Sequence, residues 1–457
     1  MRWIGRNSGS WPCHAALRLL CAALGLLLLA SCSGTTVDGG DTYGQGPRDP
    51  NLPPVPPLPT LQDGQLPSEG ALPAYPNDGT IRVAILLPLS GPRAGLGKAM
   101  QNAAELAMFE IAGDKFTLMP FDTQGTPAGA SAAAEKAVTE GVRLILGPLL
   151  ASSVEAVAPV ARMASVQVVA FSNSQRVAGE GVFIMGFVPE QQVTAIVDFA
   201  GSRGLARFAV LAPQDEFGQT VVQSTQDAAR QRGGALVRTQ SYDPAAADFS
   251  KDVKLLADYD QRRKALMQQR AQLKRQPGEV SRRALKRLEK RDTIGDVDFD
   301  AVLIPETGQR LRALASLLSY YDVDPPAVRM LGLRNWDEIP KPESEPSLIG
   351  AWFAAPAPAE WAGFATRFKS AFGRAPARLS SLAYDATALA AVLAQGEGGP
   401  DFSFEALTNP NGFLGVDGLF RLNPTGVAER ALAILEVRRE GVVMIAAPQE
   451  SFQQFTN

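Results

Sequence analysis

The sequence predicts an α/β protein built as two lobes, each a parallel sheet wrapped by helices, and three observations carry that prediction. From Thr80 onward, short runs of branched apolar residues alternate with segments whose apolar residues recur at helical spacing. The connections are short, as in right-handed strand–helix–strand units around a parallel sheet. The alternation restarts after Pro189, and residues 79–457 are too many for one comfortable core.

What precedes that region reads as an address. Arg2, Arg6 and Arg18 stand before an apolar run from Leu19 to Ala30. A basic start, about a dozen apolar residues and a small-residue exit describe a secretory signal too short for a comfortable membrane span. The exit, Leu29-Ala30-Ser31-Cys32, resembles the lipobox of bacterial lipoproteins. That resemblance implies a signal peptide over residues 1–31 and an acylated Cys32 held by membrane lipid. Each buried acyl methylene contributes about 0.8 kcal/mol, so several chains on one residue anchor a protein without a transmembrane helix. Ser33 follows in place of Asp, which in related lipoproteins fits an outer-membrane anchor facing the periplasm, with the inner membrane as the alternative.

Residues 32–78 then read as a lipid-anchored linker. Ten prolines fall between positions 33 and 78, densest from Asn51 to Pro59, among Gly, Ser, Thr and Asp. Lacking backbone donors and apolar bulk, such a stretch is expected to be an extended, partly polyproline II spacer. Its reach at full extension is on the order of 140 Å.

The globular elements follow in order. Ile81 to Pro88 is a buried strand by its branched apolar run, and residues 95–111 carry Leu96, Met100, Ala103, Ala104, Ala107 and Ile111 at helical spacing. Strand 116–121, helix 128–140, strand 142–147, helix 152–163 and strand 166–171 complete the first series. The second runs helix 190–203, strand 207–212, helix 216–232, strand 235–241, a long helical stretch, strand 299–304, helix 308–320 and strand 327–331.

The glycine-rich turn from Ser90 to Ala99 sits where a phosphate loop would sit, yet it fits neither nucleotide pattern. Five residues rather than four separate Gly91 from Gly97, and Lys98 is followed by Ala99 instead of Ser or Thr. Met100 stands where the dinucleotide fingerprint requires its last glycine. A helix start of this kind still offers free amides to a carboxylate or other anion.

Composition excludes several chemistries. The chain has three Cys, at positions 13, 21 and 32, and one His, at position 14, so every thiol and imidazole lies in the address. A folded region without them has no Cys/His nucleophile, no Ser-His-Asp triad, no thiolate or imidazole zinc site and no internal disulfide. No Asp/Glu pair stands at an obvious strand end beside a nucleophile, so an enzyme is not expected. No cofactor, metal or nucleic-acid partner is called for either.

Several segments together resemble a known superfamily. Ile85 to Pro92, Ala94 to Lys98, Gln101 to Ala107, Asp122-Thr123, Leu144 to Leu149 and Val168 to Ser172 resemble the type I periplasmic binding proteins of the Leu/Ile/Val class. Within that superfamily the chain looks most like the penicillin-binding-protein activator lipoproteins, whose binding-protein-like domain follows a lipid anchor. The resemblance runs from about Gly79 to the C-terminus. It implies two Rossmann-like lobes joined by three crossings, with a ligand cleft between them. The first lobe is then about 79–188 and 350–415, and the second about 189–349 and 416–457. Gly415 to Gly426 matches the family's late hairpin, with Asn423-Pro424-Thr425-Gly426 as turn, and the final strands fall at 431–437 and 442–446.

In amino-acid-binding members, hydroxyls and amides after the third and fourth strands hold the ligand carboxylate, and an acid from the second lobe holds its ammonium. Those positions carry Ser152 and Ser153, then Ser172, Asn173 and Ser174, with Glu306 or Asp337 as the acid. Phe217 stands at the aromatic position before Gly218, and Ser90 and Gly91 in the first strand–helix turn complete the candidates. Ser152 equally suits a helix cap, and Glu306 a solvated loop. No aromatic sandwich and no doubled acid is seen, so the resemblance specifies no particular amino acid.

The modest net charge of −3 conceals a division. Residues 261–291 hold twelve Lys or Arg against Glu279 and Glu289, a net of +10, within a helical insertion at about 257–292. Helix-forming composition on both sides of Gln276-Pro277-Gly278 predicts two helices broken there. A solvated arm is one reading. The other is a docking surface for an anionic membrane, an anionic glycan or an acidic protein patch, with Arg262, Arg263, Lys264, Arg270, Lys274, Arg275, Arg282, Arg283, Lys286 and Arg287 as candidates. The resemblance and the arm together point to a non-enzymatic lipoprotein that binds and activates a penicillin-binding protein. The alternative is a lipid-anchored receptor delivering an amino acid or similar solute to an ABC transporter.

Overall fold

A computed structural model describes residues 78–453. The expected signal peptide, Cys32 and the linker up to Asn77 lie outside the described residues. In chain order the first lobe contains β1 (Ile81–Leu87), α1 (Ala94–Ile111), β2 (Phe116–Asp122), α2 (Pro127–Thr139), β3 (Leu144–Leu146), α3 (Ala151–Met163), β4 (Gln167–Ala170) and β5 (Val182–Ile184). The strands lie in the order β2-β1-β3-β4-β5, all parallel. Unbroken apolar runs make these strands because helices cover both faces. Val83, Ile85 and Leu87 pack with Met100 and Ala104 of α1, while Ala84 and Leu86 pack with Ala130 and Ala134 of α2 and Val154 of α3. Thr126 starts α2, its Oγ1 accepting from the Gly129 N–H at 3.1 Å, with Pro127 in the first turn. β5 was not expected, since a three-residue strand is too short to show a period.

The second lobe repeats the scheme. It continues with α4 (Pro189–Ser202), β6 (Arg207–Pro213), α5 (Glu216–Gln231), β7 (Ala235–Tyr242), α6 (Ser250–Leu256), α7 (Tyr259–Arg275), α8 (Glu279–Leu288), β8 (Ala301–Leu303), α9 (Gly308–Tyr320), β9 (Arg329–Gly332) and β10 (Trp352–Ala355). Three helices follow, α10 (Pro358–Phe372), α11 (Ser380–Ala394) and α12 (Phe404–Leu407). The chain ends in β11 (Phe413–Gly415), β12 (Gly418–Leu422), β13 (Ala428–Arg430), β14 (Ala433–Arg438) and β15 (Gly441–Ala446). The second sheet runs β15-β14-β10-β9-β8-β6-β7, parallel from β10 to β7, with β14 antiparallel to β10 and β15 antiparallel to β14. β11, β12 and β13 form a small antiparallel sheet. Both lobes need glycine where a helix crosses a strand end. A Cβ on Gly97 would lie 2.1 Å from the Pro88 carbonyl oxygen, and one on Gly218 1.9 Å from that of Pro213.

Two expected lobe boundaries move. The chain was expected to cross near 350, but β10 stays in the second sheet, pairing with β9 and β14. Trp352-Phe353-Ala354-Ala355 is apolar on both faces and so suits an interior strand. The crossing follows it, and α10 and α11 pack on α1 of the first lobe through Phe364, Phe368 and Tyr384. The crossing expected near 415 falls instead between β13 and β14. Phe420, Leu422 and Ala428 belong to the first lobe's core with Val83, whereas Ala433 and Leu435 belong to the second lobe's core with Phe353.

Candidate functional site

A cavity of about 360 Å³ opens at the carboxyl ends of both sheets, between the lobes. This is where open α/β sheets bind ligands, because loops diverge there and helices begin. Leu150 after β3, Phe171 after β4 and Phe187 after β5 form the first lobe's wall, and Phe217, Leu333 and Arg334 form the second's. Asn173, Gln192 and Asn335 add polar groups, and Arg334 is the one charged residue among the described lining. Gln192 is fully used by the backbone. Its amide donates to the Phe187 and Val188 carbonyls at 3.1 and 3.2 Å, and its Oε1 accepts from the Arg334 N–H at 2.9 Å.

The structure separates the cleft residues expected from sequence. Asn173 and Phe217 line the cavity, and Ser174 lines an adjoining one of about 330 Å³. Ser90 and Gly91 lie in the turn after β1, where the Ser90 N–H donates to Asp122 Oδ1 at 3.2 Å, and neither lines the cavity. Ser152 is exposed and Ser153 buried within α3, outside the lining, and the N-cap of α3 is Leu150 without a side-chain cap. Ser172 is buried, its Oγ accepting from the Ser174 N–H at 3.2 Å. Glu306 is occupied in the second lobe: Oε1 accepts from Tyr242 Oη at 2.8 Å and Arg310 Nε at 3.0 Å, and Oε2 from the Thr307 N–H at 3.2 Å. Burial and that carboxylate push the Tyr242 hydroxyl's pKa far up.

Asp337 also faces away from the cavity, into a buried ionic clasp. Arg378, from the segment before α11, donates through Nε to Asp337 Oδ2 at 2.9 Å and holds Asp417 Oδ1 2.7 Å from Nη1. It therefore ties the loop after β9 in the second lobe to the β11–β12 turn. Burial raises the Asp337 carboxyl above its ordinary value, against the pull of Arg378 and Arg334. Asp385 of α11 accepts from the Val416 N–H at 2.7 Å, and burial, aided by Asp417, pushes its carboxyl up to about 7. Three guanidinium groups, of Arg334, Arg430 and Arg378, stand 4.6, 4.8 and 5.7 Å from the Phe187 ring centroid. Sequence reading missed this cluster. The one local signal was Arg334's position just past a strand end.

The basic insertion is a helical hairpin, α7 and α8, broken at Pro277-Gly278 as expected. Its cations are of two kinds. Arg262 is buried at the root and donates to the carbonyls of Gly295, Tyr321 and Ala257 at 3.0, 3.2 and 3.3 Å. Arg270 donates to the Leu288 and Arg291 carbonyls, closing the end of α8. These two are structural, not free for a partner. Arg263 reaches Tyr259 Oη at 3.0 Å and Arg283 pairs with Glu279. Lys264, Lys274, Arg275, Arg282, Lys286 and Arg287 are exposed and form no ion pair among the described residues, as do Lys290 and Arg291 beyond them. No described helix is long and apolar enough to cross a membrane. Among the described residues no cluster of His, Cys, Asp or Glu could hold a metal ion.

Comparison with known proteins agrees with this geometry. Residues 80–260 match the periplasmic binding protein family. An uncharacterized protein of Rickettsia prowazekii is 24% identical over 195 residues, 42% of this chain and 52% of that one. The penicillin-binding protein activator LpoA of Haemophilus ducreyi is 30% identical over 138 residues, 30% of this chain and 23% of its own. The chain thus spans about half or less of the curated relatives it matches. Among solved structures, the periplasmic ligand-binding protein of a branched-chain amino acid ABC transporter from Burkholderia xenovorans superposes with a TM-score of 0.60 at 14% identity, covering 82% of this chain and 97% of that one. The described chain has the two-lobed fold of the type I periplasmic binding proteins, and the family match over residues 80–260 spans its first lobe and the start of the second.

Proposed function

We propose that this protein is a non-enzymatic lipoprotein of the cell envelope that binds and stimulates a penicillin-binding protein, using the α7–α8 hairpin as its docking surface. The observation that carries the reading is the row of exposed hairpin cations without ion partners. Such a surface steers and orients an acidic protein face. Binding a solute in the cleft makes no use of it. The likeness to LpoA supports the same class of partner. In this proposal acylated Cys32 holds the protein to the outer membrane, and the Pro-rich linker lets the lobes reach a synthase across the periplasm.

The test uses the full chain in detergent with a bifunctional penicillin-binding protein of the same cell, reading capture and the rate of glycan polymerisation. Wild type should capture the synthase and raise the rate, with binding weakened by salt. Replacing Lys274, Arg275, Arg282, Lys286 and Arg287 together by Gln should weaken capture at least about tenfold. Full capture by that variant removes the hairpin from the reading, and no capture by wild type sinks it. The second reading, a receptor for amino acids or related solutes serving an ABC transporter, is favoured by the interlobe cavity. A ligand-dependent rise in Tm without synthase capture would select it.

A further inference from the structure

Large apolar side chains gather on the basic hairpin and around its root. Of the twelve large hydrophobic residues exposed among the described residues, five lie there: Val237 on β7, Leu255 near the end of α6, Met267 on α7, Val280 on α8 and Tyr320 at the end of α9. The root itself is a stack of rings. Tyr259, which opens α7, packs edge to face on Tyr321 with centroids 4.8 Å apart, and Tyr321 packs in the same way on Tyr320 at 5.1 Å. Lys254 stands over Tyr259 and Tyr321 at 5.7 and 5.8 Å, and Arg263 over Tyr259 at 5.9 Å. Arg262 fixes α7 to α9 by donating to the Tyr321 carbonyl at 3.2 Å.

Folding accounts for two of these rings and not for the third. Tyr259 and Tyr321 are 8% and 5% exposed, whereas Tyr320 is 67% exposed. Its contact with a buried ring restrains its orientation, so little side-chain freedom is left to lose when a partner covers it. An oriented tyrosine beside Lys and Arg has the composition of an interface hot spot. The hairpin tip differs. From Tyr259 to Lys274 the helix rises on the order of 20 Å, which an ordinary protein interface can span, and the cations there act through a field that salt screens. The root also carries carboxylates: Asp292 lies 3.7 Å from Arg263, and Asp322 accepts from the Thr293 hydroxyl. A uniformly anionic lipid surface would meet those acids, while a protein face can set its own acids against the tip and an apolar pocket against the root.

We infer that docking on the hairpin is divided in two: the tip cations steer an acidic protein face, and Tyr320, backed by Tyr321 at the root, is the anchor that enters an apolar pocket on that face. This rests on the proposed function, because the partner is the penicillin-binding protein of that reading. The two parts control different rates. Steering by exposed charge sets how fast the partner arrives, and burial of the ring sets how slowly it leaves.

The test immobilises the full chain in detergent and follows association and dissociation of the purified bifunctional penicillin-binding protein at low and high salt. Tyr320→Ser should raise the dissociation rate at least about tenfold and leave the association rate and its salt dependence unchanged. Replacing Lys274, Arg275, Arg282, Lys286 and Arg287 together by Gln should do the reverse, slowing association and removing most of its salt dependence. Tyr320→Phe keeps the ring and should dissociate within about threefold of wild type. Wild-type dissociation from Tyr320→Ser overturns the anchor while the proposed function stands, and so does a Tyr320→Phe variant that dissociates as fast as Tyr320→Ser. Wild-type binding to phosphatidylglycerol vesicles, or self-association in sedimentation, that Tyr320→Ser abolishes would give the ring to a membrane or a second copy and also overturn it. No wild-type binding of the synthase sinks the proposed function and the anchor with it.

Discussion

Arginine gathers in two regions of this molecule, and the contrast separates what holds the fold from what remains free to bind. Behind Phe187, Arg334, Arg378 and Arg430 are at most a tenth exposed, and Arg378 has carboxylates at 2.7 and 2.9 Å from two parts of the chain. On the hairpin, α8 buries no residue at all, and most cations face solvent without partners. The same side chain is structural where burial makes an unpaired charge costly, and available where water screens it. The crossovers of the two lobes show the same division. In the first lobe α2 alone spans from β2 to β3, covering the sheet with alanines. In the second lobe α6 covers the sheet through Val253 and Leu256, and α7 and α8 are added outside that covering.

The contrast would break most visibly at Arg378. Arg378→Ala leaves Asp337 and Asp417 buried without their shared cation, and about 3–5 kcal/mol of stability should be lost in urea unfolding. A loss as small as that of a hairpin variant would show that the clasp is not what joins these segments. The next largest effect depends on pH. Burial holds the Asp385 carboxyl at about 7 in the folded chain, while an unfolded Asp titrates near 3.9. Between those values the folded chain keeps a proton that the unfolded chain has released. The group's contribution is therefore full below about pH 4 and is lost as pH rises through 7. Asp385→Asn cannot titrate, so urea midpoints measured from pH 4 to pH 8 should shift in the variant's favour relative to wild type. A constant difference would mean that Asp385 is ionised throughout.

Arg262 lies where the two regions meet, in the hairpin by sequence and in the core by burial. Arg262→Ala strands three carbonyls and should cost about 1–3 kcal/mol, read by thermal or urea unfolding. The smallest effect is expected from the five-residue Gln variant of Lys274, Arg275, Arg282, Lys286 and Arg287. It should stay within about 0.5 kcal/mol of wild type in urea unfolding, as surface changes usually do, even while partner capture falls. A large destabilisation would make the hairpin part of the core architecture.

Much of the fold was legible because its signals are local. The run from Ile81 to Leu87, the helical spacing from Leu96 to Ile111 and the turn Asn423 to Gly426 each announce themselves within a few residues, and the turn closes as read, the Gly426 N–H donating to Asn423 at 2.8 Å. α11 was not legible, since Ser380 to Thr387 is buried on every face and leaves no amphipathic period. The site was legible only in outline. Position after a strand end brought Asn173 to the cavity, but the same reasoning chose Asp337 when Arg334, three residues earlier, was the side chain in the wall.

By itself, the sequence determined the strand–helix alternation, the break at Pro277-Gly278 and the concentration of positive charge in one insertion, because each depends on neighbours along the chain. Only the tertiary structure decided which lobe takes β10, β12 and β13, which acids are consumed by internal partners and which arginine reaches the cleft. Those outcomes depend on pairings such as Arg378 with Asp337, 41 residues apart, and Glu306 with Tyr242, 64 apart. A charged side chain's role is set by whichever partner folding brings within hydrogen-bond distance, and local pattern carries no record of that partner.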